Sequence, residues 1–344
     1  MSHMLEEIRQ QPDVIAKLIA EECDKVGALA EQMTRRRIGL IVIAARGTSD
    51  HAAIYGKYLL EVRNAIPVAL ADCSIFTLYE ATLRLANTLV IGISQSGEAP
   101  DVAEYLENSK RLGAITVAIT NVPGSRLSQT ADYTFLCHAG KEKGVAATKT
   151  YTSTLAVLYL LSASLAKDRF RIEKLAGVPD AMRAALGMED YIFEKAERYR
   201  YMDSGYVISR GFNLATAREA ALKLAETSYV QMLAYSSADF LHGPIAAVHE
   251  SQACFLIAPP GKTLEGMVDM AGRLRERKAE TVILSSDDEI LALATTPFKI
   301  DAQLDEELSP LVYIIPGQLF AHRLAVVRGY DPDRPRGLHK VTLT

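Results

Sequence analysis

Short apolar runs recur along this chain, separated by stretches with helical spacing. Gly39–Ala45, Pro67–Ala71, Thr88–Ile93, Ala114–Ile119 and Tyr133–Cys137 are rich in Val and Ile and apolar at successive positions. Parallel strands covered by helices on both faces have that character. Asp50–Arg63 and Asp101–Leu112 carry apolar residues at helical intervals, which predicts strand–helix–strand units. A helical stretch follows from Thr148 to about Arg200. Its most apolar part, Leu155–Ala166, contains Ser162 and Ser164 and falls short of the ~18 residues expected of a membrane span. It reads as a buried helix.

The pattern then restarts. Gly205-Tyr-Val-Ile-Ser-Arg-Gly211 echoes Leu40-Ile-Val-Ile-Ala-Ala-Arg-Gly47. Each ends in Arg-Gly and leads into a predicted helix that reaches a glutamate, Glu61 in the first copy and Glu226 in the second. Ala253–Ala258, Glu280–Leu284 and Leu311–Ile315 are the further strands predicted for the second copy. Two similar α/β halves are expected.

In open parallel sheets, ligands sit beyond the carboxyl ends of the strands. Two turns of the first half occupy such ends, Gly47-Thr48-Ser49 and Ser94-Gln95-Ser96-Gly97. The second places two hydroxyls, a carboxamide and a glycine between a strand and a helix N-terminus, where free N–H groups and the helix dipole favour an anion. Phosphate is the natural guest there. The plainer alternative is a Ser-rich helix cap without a ligand.

Composition narrows the class of partner. Of 344 residues, 49% are hydrophobic and 23% charged, with a net charge of −4 and no basic tract. Nucleic acid is an unexpected partner for such a chain. Cys23, Cys73, Cys137 and Cys254 lack paired spacing, which points to reduced thiols in a cytoplasmic protein rather than a disulfide frame or zinc site. Neither a secretory signal nor a membrane span is read in the sequence. Met1–Met4 carry no weight in this reading.

A second set of chemical groups lies in the second half. Ala221-Leu-Lys-Leu-Ala-Glu226 puts Lys223 and Glu226 on one helix face. Leu241-His242-Gly243-Pro244 places a histidine at a turn stiffened by proline. The tail Asp333-Arg-Pro-Arg-Gly-Leu-His-Lys340-Val-Thr-Leu-Thr344 is predicted strand-like, with Lys340 near apolar residues and near Arg334 and Arg336. Taken singly, each group has a plain reading: Lys223 as a surface partner of Glu219, His242 as a turn histidine, and Lys340 as a solvated residue. His51 is of interest only because it follows the Gly47-Thr48-Ser49 turn. His138, His249, His322 and His339 carry no functional argument.

Read in order, these elements resemble the SIS (sugar isomerase) domain family. They are most similar to the isomerase half of glutamine–fructose-6-phosphate aminotransferases and to stand-alone glucosamine-6-phosphate deaminases. The resemblance runs from Glu7-Ile-Arg-Gln-Gln-Pro12 to Lys340. It is carried by Arg46-Gly-Thr-Ser49, Ser94-Gln-Ser-Gly-Glu98, Asn121-Val-Pro-Gly-Ser125, Gly144-Val-Ala-Ala-Thr-Lys149, Ala221–Glu226, His242-Gly-Pro244 and Pro335-Arg-Gly-Leu-His-Lys340. It implies two SIS subdomains, each a mainly parallel flavodoxin-like sheet flanked by helices. The expected segments are an N-terminal helical part (1–36), a first subdomain (37–170), a helical connector (171–200), a second subdomain (201–330) and an active-site tail (331–344).

The resemblance also implies roles. Ser94, Gln95, Ser96 and Gly97 would hold the sugar phosphate. Thr48, Ser49 and the Val145 backbone, with Ala147 beside it, would face the sugar. Glu226 would move a proton between C1 and C2, with Lys223 one turn away, and His242 would open the ring, reaching in from a neighbouring subunit of a homodimer. Lys340 would approach the carbonyl carbon, as an oxyanion partner or an imine former. No metal or redox cofactor is required. Two positions depart from the aminotransferase pattern: Ala99 replaces a Thr and Ala147 a Ser. The sequence contains no glutaminase segment or N-terminal cysteine nucleophile, so the expected direction is glucosamine 6-phosphate to fructose 6-phosphate plus ammonia. The alternatives are a galactosamine-6-phosphate deaminase or isomerase, a fructosamine-6-phosphate deglycase, and a non-catalytic phosphosugar sensor.

Overall fold

The computed structural model describes residues 2–340. These fall into two compact units, one of residues 13–142, 149–177 and 339–340, the other of residues 2–12, 143–148 and 178–338.

The first unit is built on five parallel strands: β1 (Leu40–Ala44), β2 (Val68–Ala71), β3 (Thr88–Ile93), β4 (Ile115–Thr120) and β5 (Tyr133–Leu136), in the order β2-β1-β3-β4-β5. The central strands are in register at Ile41↔Leu89 and Leu89↔Ile115. Every residue of β3 and β4 is buried, because both faces are covered. Val42, Val90 and Ala118 pack with Leu106 of helix Pro100–Arg111 and with Leu127. On another side of β1, helix Thr48–Asn64 comes so close that a Cβ on Gly56 would stand 3.2 Å from Ile43 and from Leu158. Leu158 belongs to helix Lys149–Leu165, buried over nearly its whole length as its sequence predicts.

The second unit repeats this plan. Its strands are β6 (Ser204–Ser209), β7 (Gln231–Ser236), β8 (Ala253–Ile257), β9 (Glu280–Ser285) and β10 (Thr296–Lys299), in the order β10-β9-β8-β6-β7. Read from β7, this is the order of the first sheet, and every pair is again parallel. Two α/β subdomains of flavodoxin-like strand order are therefore present.

One predicted strand is wrong. Leu311–Ile315 lies inside the helix Ser309–Val327, with Pro316 in its interior. This helix is buried on nearly all sides, so no polar face gives it a period, and Pro316-Gly317 imitates the end of a strand. By length and composition it could cross a membrane, yet 78% of its most apolar window is buried inside the protein. The outer strands β7 and β10 were not predicted. Both are edge strands, β7 partly exposed and β10 interrupted by Pro297, so neither shows a continuous apolar run.

Residues 2–12 and the tail as far as Leu338 belong to the second unit. Ser2 caps the helix His3–Arg9, and Met4 is fully buried. The His3 and Met4 amides donate to Asp333 at 2.7 and 2.8 Å. The tail carries no strand among its described residues. Its Arg336 amide donates to the Tyr229 hydroxyl at 2.8 Å, and the guanidinium lies 4.1 Å from that ring's centroid. Residues 341–344 of the predicted strand-like tail lie outside the described residues.

Candidate active site

In the first unit, the predicted sugar-phosphate residues lie at the carboxyl ends of β1 and β3. After β3 the chain turns through Ser94–Ala99 before helix Pro100–Arg111 begins. The Gly97 amide donates to the Ser94 carbonyl and to Ser94 Oγ, both at 3.1 Å, and the Glu98 amide donates to Ser96 Oγ at 3.2 Å. Gln95 O accepts from Asn121 N at 3.1 Å, and Gly97 O from Leu127 N at 2.9 Å. The turn is thus tied to β4 and to the segment after it. The residue that caps the helix is Ala99, without a side-chain bond, so the serines shape a loop rather than cap a helix.

Gly97 is required twice over. Its φ of 69° lies in the left-handed region, and a Cβ there would stand 2.0 Å from Ser125 Oγ. That hydroxyl is buried without a hydrogen-bond partner among the described residues. After β1, Gly47 has φ 53° and hands the chain to helix Thr48–Asn64, with half-buried Thr48 and Ser49 in its first turn. Arg46 Nε donates to Asp101 Oδ2 at 2.7 Å, joining the two turns. That hydrogen bond outweighs partial burial and holds the Arg46 guanidinium above its ordinary pKa.

Lys340 is also in this unit. Its Nζ donates to Glu142 Oε2 at 2.7 Å. Glu142 is buried and also accepts from the Thr150 amide (3.2 Å) and hydroxyl (2.8 Å). Lys340 is therefore not simply solvated.

In the second unit, helix Leu214–Ser228 presents Glu219, Lys223 and Glu226 along one face. Lys223 Nζ lies 3.1 Å from Glu219 and 2.7 Å from Glu226 Oε2, and its side chain is fully buried. The reading of Lys223 as a surface partner of Glu219 is overturned. Burial by itself would push the ammonium down, but the charges of Glu219 and then Glu226 reverse that and hold it above the ordinary lysine range. Glu226 keeps 21% of its side chain exposed while its Oε2 is buried against Lys223. It is a carboxylate on a rigid helix, with one oxygen anchored.

His242 caps the C-terminal end of the short helix Ser237–Leu241, its amide donating to Asp239 O at 3.1 Å. Its side chain is exposed, and its ring has no hydrogen-bond partner among the described residues. Gly243 follows at φ 152°, ψ −55°, a conformation that an L side chain rarely adopts. The structure does not join His242 to Glu226. Val145 and Ala147 lie half-buried in the segment 143–148. Glu7 accepts from the amides of Lys143 and Gly144, the latter at 3.1 Å.

Comparison with known proteins matches the SIS domain to residues 36–164 and 202–328. The chain belongs to the SIS domain family. It is 37% identical over 347 residues to the glutamine–fructose-6-phosphate aminotransferase [isomerizing] of Thermococcus kodakarensis, covering 98% of this chain and 57% of that one. The aminotransferase of the same name from Pyrococcus horikoshii is 39% identical over 348 residues, with the same coverage. The chain thus spans somewhat more than half the length of these curated relatives. Among solved structures, the C-terminal domain of glucosamine–fructose-6-phosphate aminotransferase from Francisella tularensis superposes with a TM-score of 0.88. It is 27% identical, and the match covers 97% of this chain and 98% of that one.

Within this SIS protein, sequence reasoning missed the supporting residues. Asp101 and Arg46 hold two turns together, Glu142 engages Lys340, and Glu7 holds the Val145 segment. Glu7, Arg46 and Glu142 lie in or beside stretches that carried the family resemblance. The long-range partner of each was invisible because it depends on folding.

Proposed function

We propose that this SIS protein is an amino-sugar phosphate deaminase–isomerase, converting glucosamine 6-phosphate and water to fructose 6-phosphate and ammonia. The observation that carries the proposal is Glu226, held through one oxygen by the buried Lys223 while part of its side chain stays exposed. A base so placed can take the proton from C2 of the open-chain amino sugar and return it to C1. The resulting C2 imine adds water and releases ammonia, leaving the ketone. Similarity to isomerizing aminotransferases supports this proton shift.

The Ser94–Gly97 turn takes the phosphate in this reading, with Thr48 and Ser49 toward the sugar hydroxyls, and Val145 and Ala147 remain proposed sugar-binding residues. Lys340 serves the carbonyl and must leave Glu142 if it is to form an imine. His242 protonates the ring oxygen of a sugar bound by a second copy, which its exposure permits. Mixing Glu226→Gln and His242→Asn variants is expected to restore activity in hybrid dimers once labelled subunits show exchange. Exchange without recovered activity would remove the shared site.

The substrate is tested by ammonia release from a panel of hexosamine 6-phosphates. Glucosamine 6-phosphate should be the best substrate. Preference for the galactosamine epimer or for fructosamine 6-phosphates would move the assignment, and binding without turnover would make the chain a sensor. A hydrogen bond to a charged group contributes ~1.5–3 kcal/mol, so Ser96→Ala is expected to weaken sugar-phosphate binding about tenfold or more. Free glucosamine should be nearly indifferent. Equal losses for both sugars, measured by calorimetry, would show that this turn does not read phosphate.

A further inference from the structure

The shared strand order gives each element of the first half a counterpart in the second. β8 and helix Leu264–Glu276 correspond to β3 and helix Pro100–Arg111, and the connecting turns, residues 258–263 and 94–99, are of equal length. Each has a glycine with positive φ at its fourth position, Gly97 at 69° and Gly261 at 149°. β6 likewise runs into Arg210-Gly211 where β1 runs toward Arg46-Gly47, with φ of 63° and 53° at the glycines. The second half keeps the strand-to-helix turn but spells it Ala258-Pro-Pro-Gly-Lys-Thr263, without the first half's pair of serines.

A carboxylate occupies that turn. Glu306 comes from residues 300–308, between β10 and helix Ser309–Val327. Its Oε2 accepts from the Lys262 amide and its Oε1 from Thr263 Oγ1, each at 2.8 Å. A Cβ on Gly261 would lie 2.4 Å from Oε2, so the carboxylate fills space that only glycine leaves free. A Cβ on Gly211 would stand 3.8 Å from Oε1, so both strand-end turns face one group. The Glu306 carbonyl accepts from Ser309 Oγ at 2.7 Å and from Ser309 N at 3.3 Å, which fixes its backbone at the start of a long buried helix. A negative group on the N–H groups before a helix is what that position favours.

We propose that Glu306 is a built-in anion that plugs the second half's counterpart of the phosphate turn, so that each chain binds one phosphosugar rather than two. Vacated, the turn would accept inorganic phosphate or a phosphomonoester. The idea rests on the reading of Ser94–Gly97 as the phosphate turn of the first half.

The test compares the full chain with Glu306→Ala and with the Ser96→Ala/Glu306→Ala double variant, in chloride and in inorganic phosphate at equal ionic strength. Glu306→Ala should melt lower than the parent in chloride. Phosphate should restore its melting temperature, with calorimetry finding an added equivalent of phosphate per chain that survives in the double variant. A phosphate increment no larger than the parent's would overturn the plug. If Glu306→Ala does not fold in chloride, folding on addition of phosphate supports the proposal. Failure of both Glu306→Ala and Glu306→Ser in phosphate as in chloride overturns it, because the side chain would then be acting as more than an anion. If Ser96→Ala leaves sugar-phosphate binding untouched while Glu306→Ala still gains phosphate, the first-half reading fails, and what survives is only that Glu306 fills an anion-accepting turn.

Discussion

Glu226→Gln is expected to abolish turnover while leaving the fold and phosphosugar binding in place. The amide keeps the volume of the side chain but cannot take a proton from carbon. General-base catalysis typically contributes ~10²–10⁴ in rate, so kcat should fall by about that factor. The fold should survive because Lys223, fully buried, retains Glu219 at 3.1 Å. Removing Glu219 as well would strip the buried ammonium of both carboxylates, and breaking a buried ion pair in this way costs about 3–5 kcal/mol. In the parent protein, on the proposed mechanism, solvent deuterium should enter the product at C1, and in the Gln variant that exchange should disappear with turnover. Substantial activity or persistent C1 labelling in Glu226→Gln would take this carboxylate out of the mechanism.

Gly97→Ala should have the largest effect on the first half. A left-handed backbone at a non-glycine residue costs ~1–2 kcal/mol. The new Cβ would also stand 2.0 Å from Ser125 Oγ, 2.4 Å from Ser125 Cβ and 2.9 Å from Thr120 Oγ1. The turn cannot simply move aside, because Gly97 N and O are bonded to Ser94 and Leu127. Overpacking adds ~1–3 kcal/mol, so a loss of about 2–5 kcal/mol is expected in urea unfolding, with sugar-phosphate affinity falling more than the Ser96→Ala variant's. Gly47→Ala is the control. It shares a positive φ, but nothing lies within 4 Å of its Cβ, so only the conformational cost should appear. Equal stabilities for the two variants would mean that the contact with Ser125 does not constrain the turn.

Strand runs such as Leu89–Ile93 and Ile115–Ile119 were legible because both faces are buried, which leaves an unbroken apolar stretch in the sequence. The repeated Arg-Gly after β1 and β6 exposed the duplication for the same local reason: a glycine is needed where the backbone turns at positive φ. Ser94–Gly97, Lys223 and Glu226 were legible as groups because each set is contiguous or one helical turn apart in the sequence, although Asn121 and Leu127, which tie the Ser94–Gly97 turn down, were not. Position along a helix, however, does not reveal burial, and the plain reading of Lys223 as a surface partner of Glu219 stood beside the site reading until the fold showed the side chain buried.

Leu311–Ile315 shows where local pattern fails. A five-residue apolar run fits a buried strand or a helix buried on every side, and only the packing of Ser309–Val327 inside the second unit decides between them. The edge strands β7 and β10 were hidden by the reverse effect, since half-exposed strands mix polar and apolar residues. Sequence by itself determined the two-fold α/β plan, the parallel strands and the chemical groups on offer, all of which follow from period and from nearest neighbours. Tertiary structure alone decided that Asp101 holds Arg46, that Glu142 holds Lys340, and that Glu306 occupies the turn after β8. Each of those pairs an ionic or hydrogen-bonding group with one 44 to 198 residues away, and no local preference can encode which distant partner a buried or turn-bound group will meet.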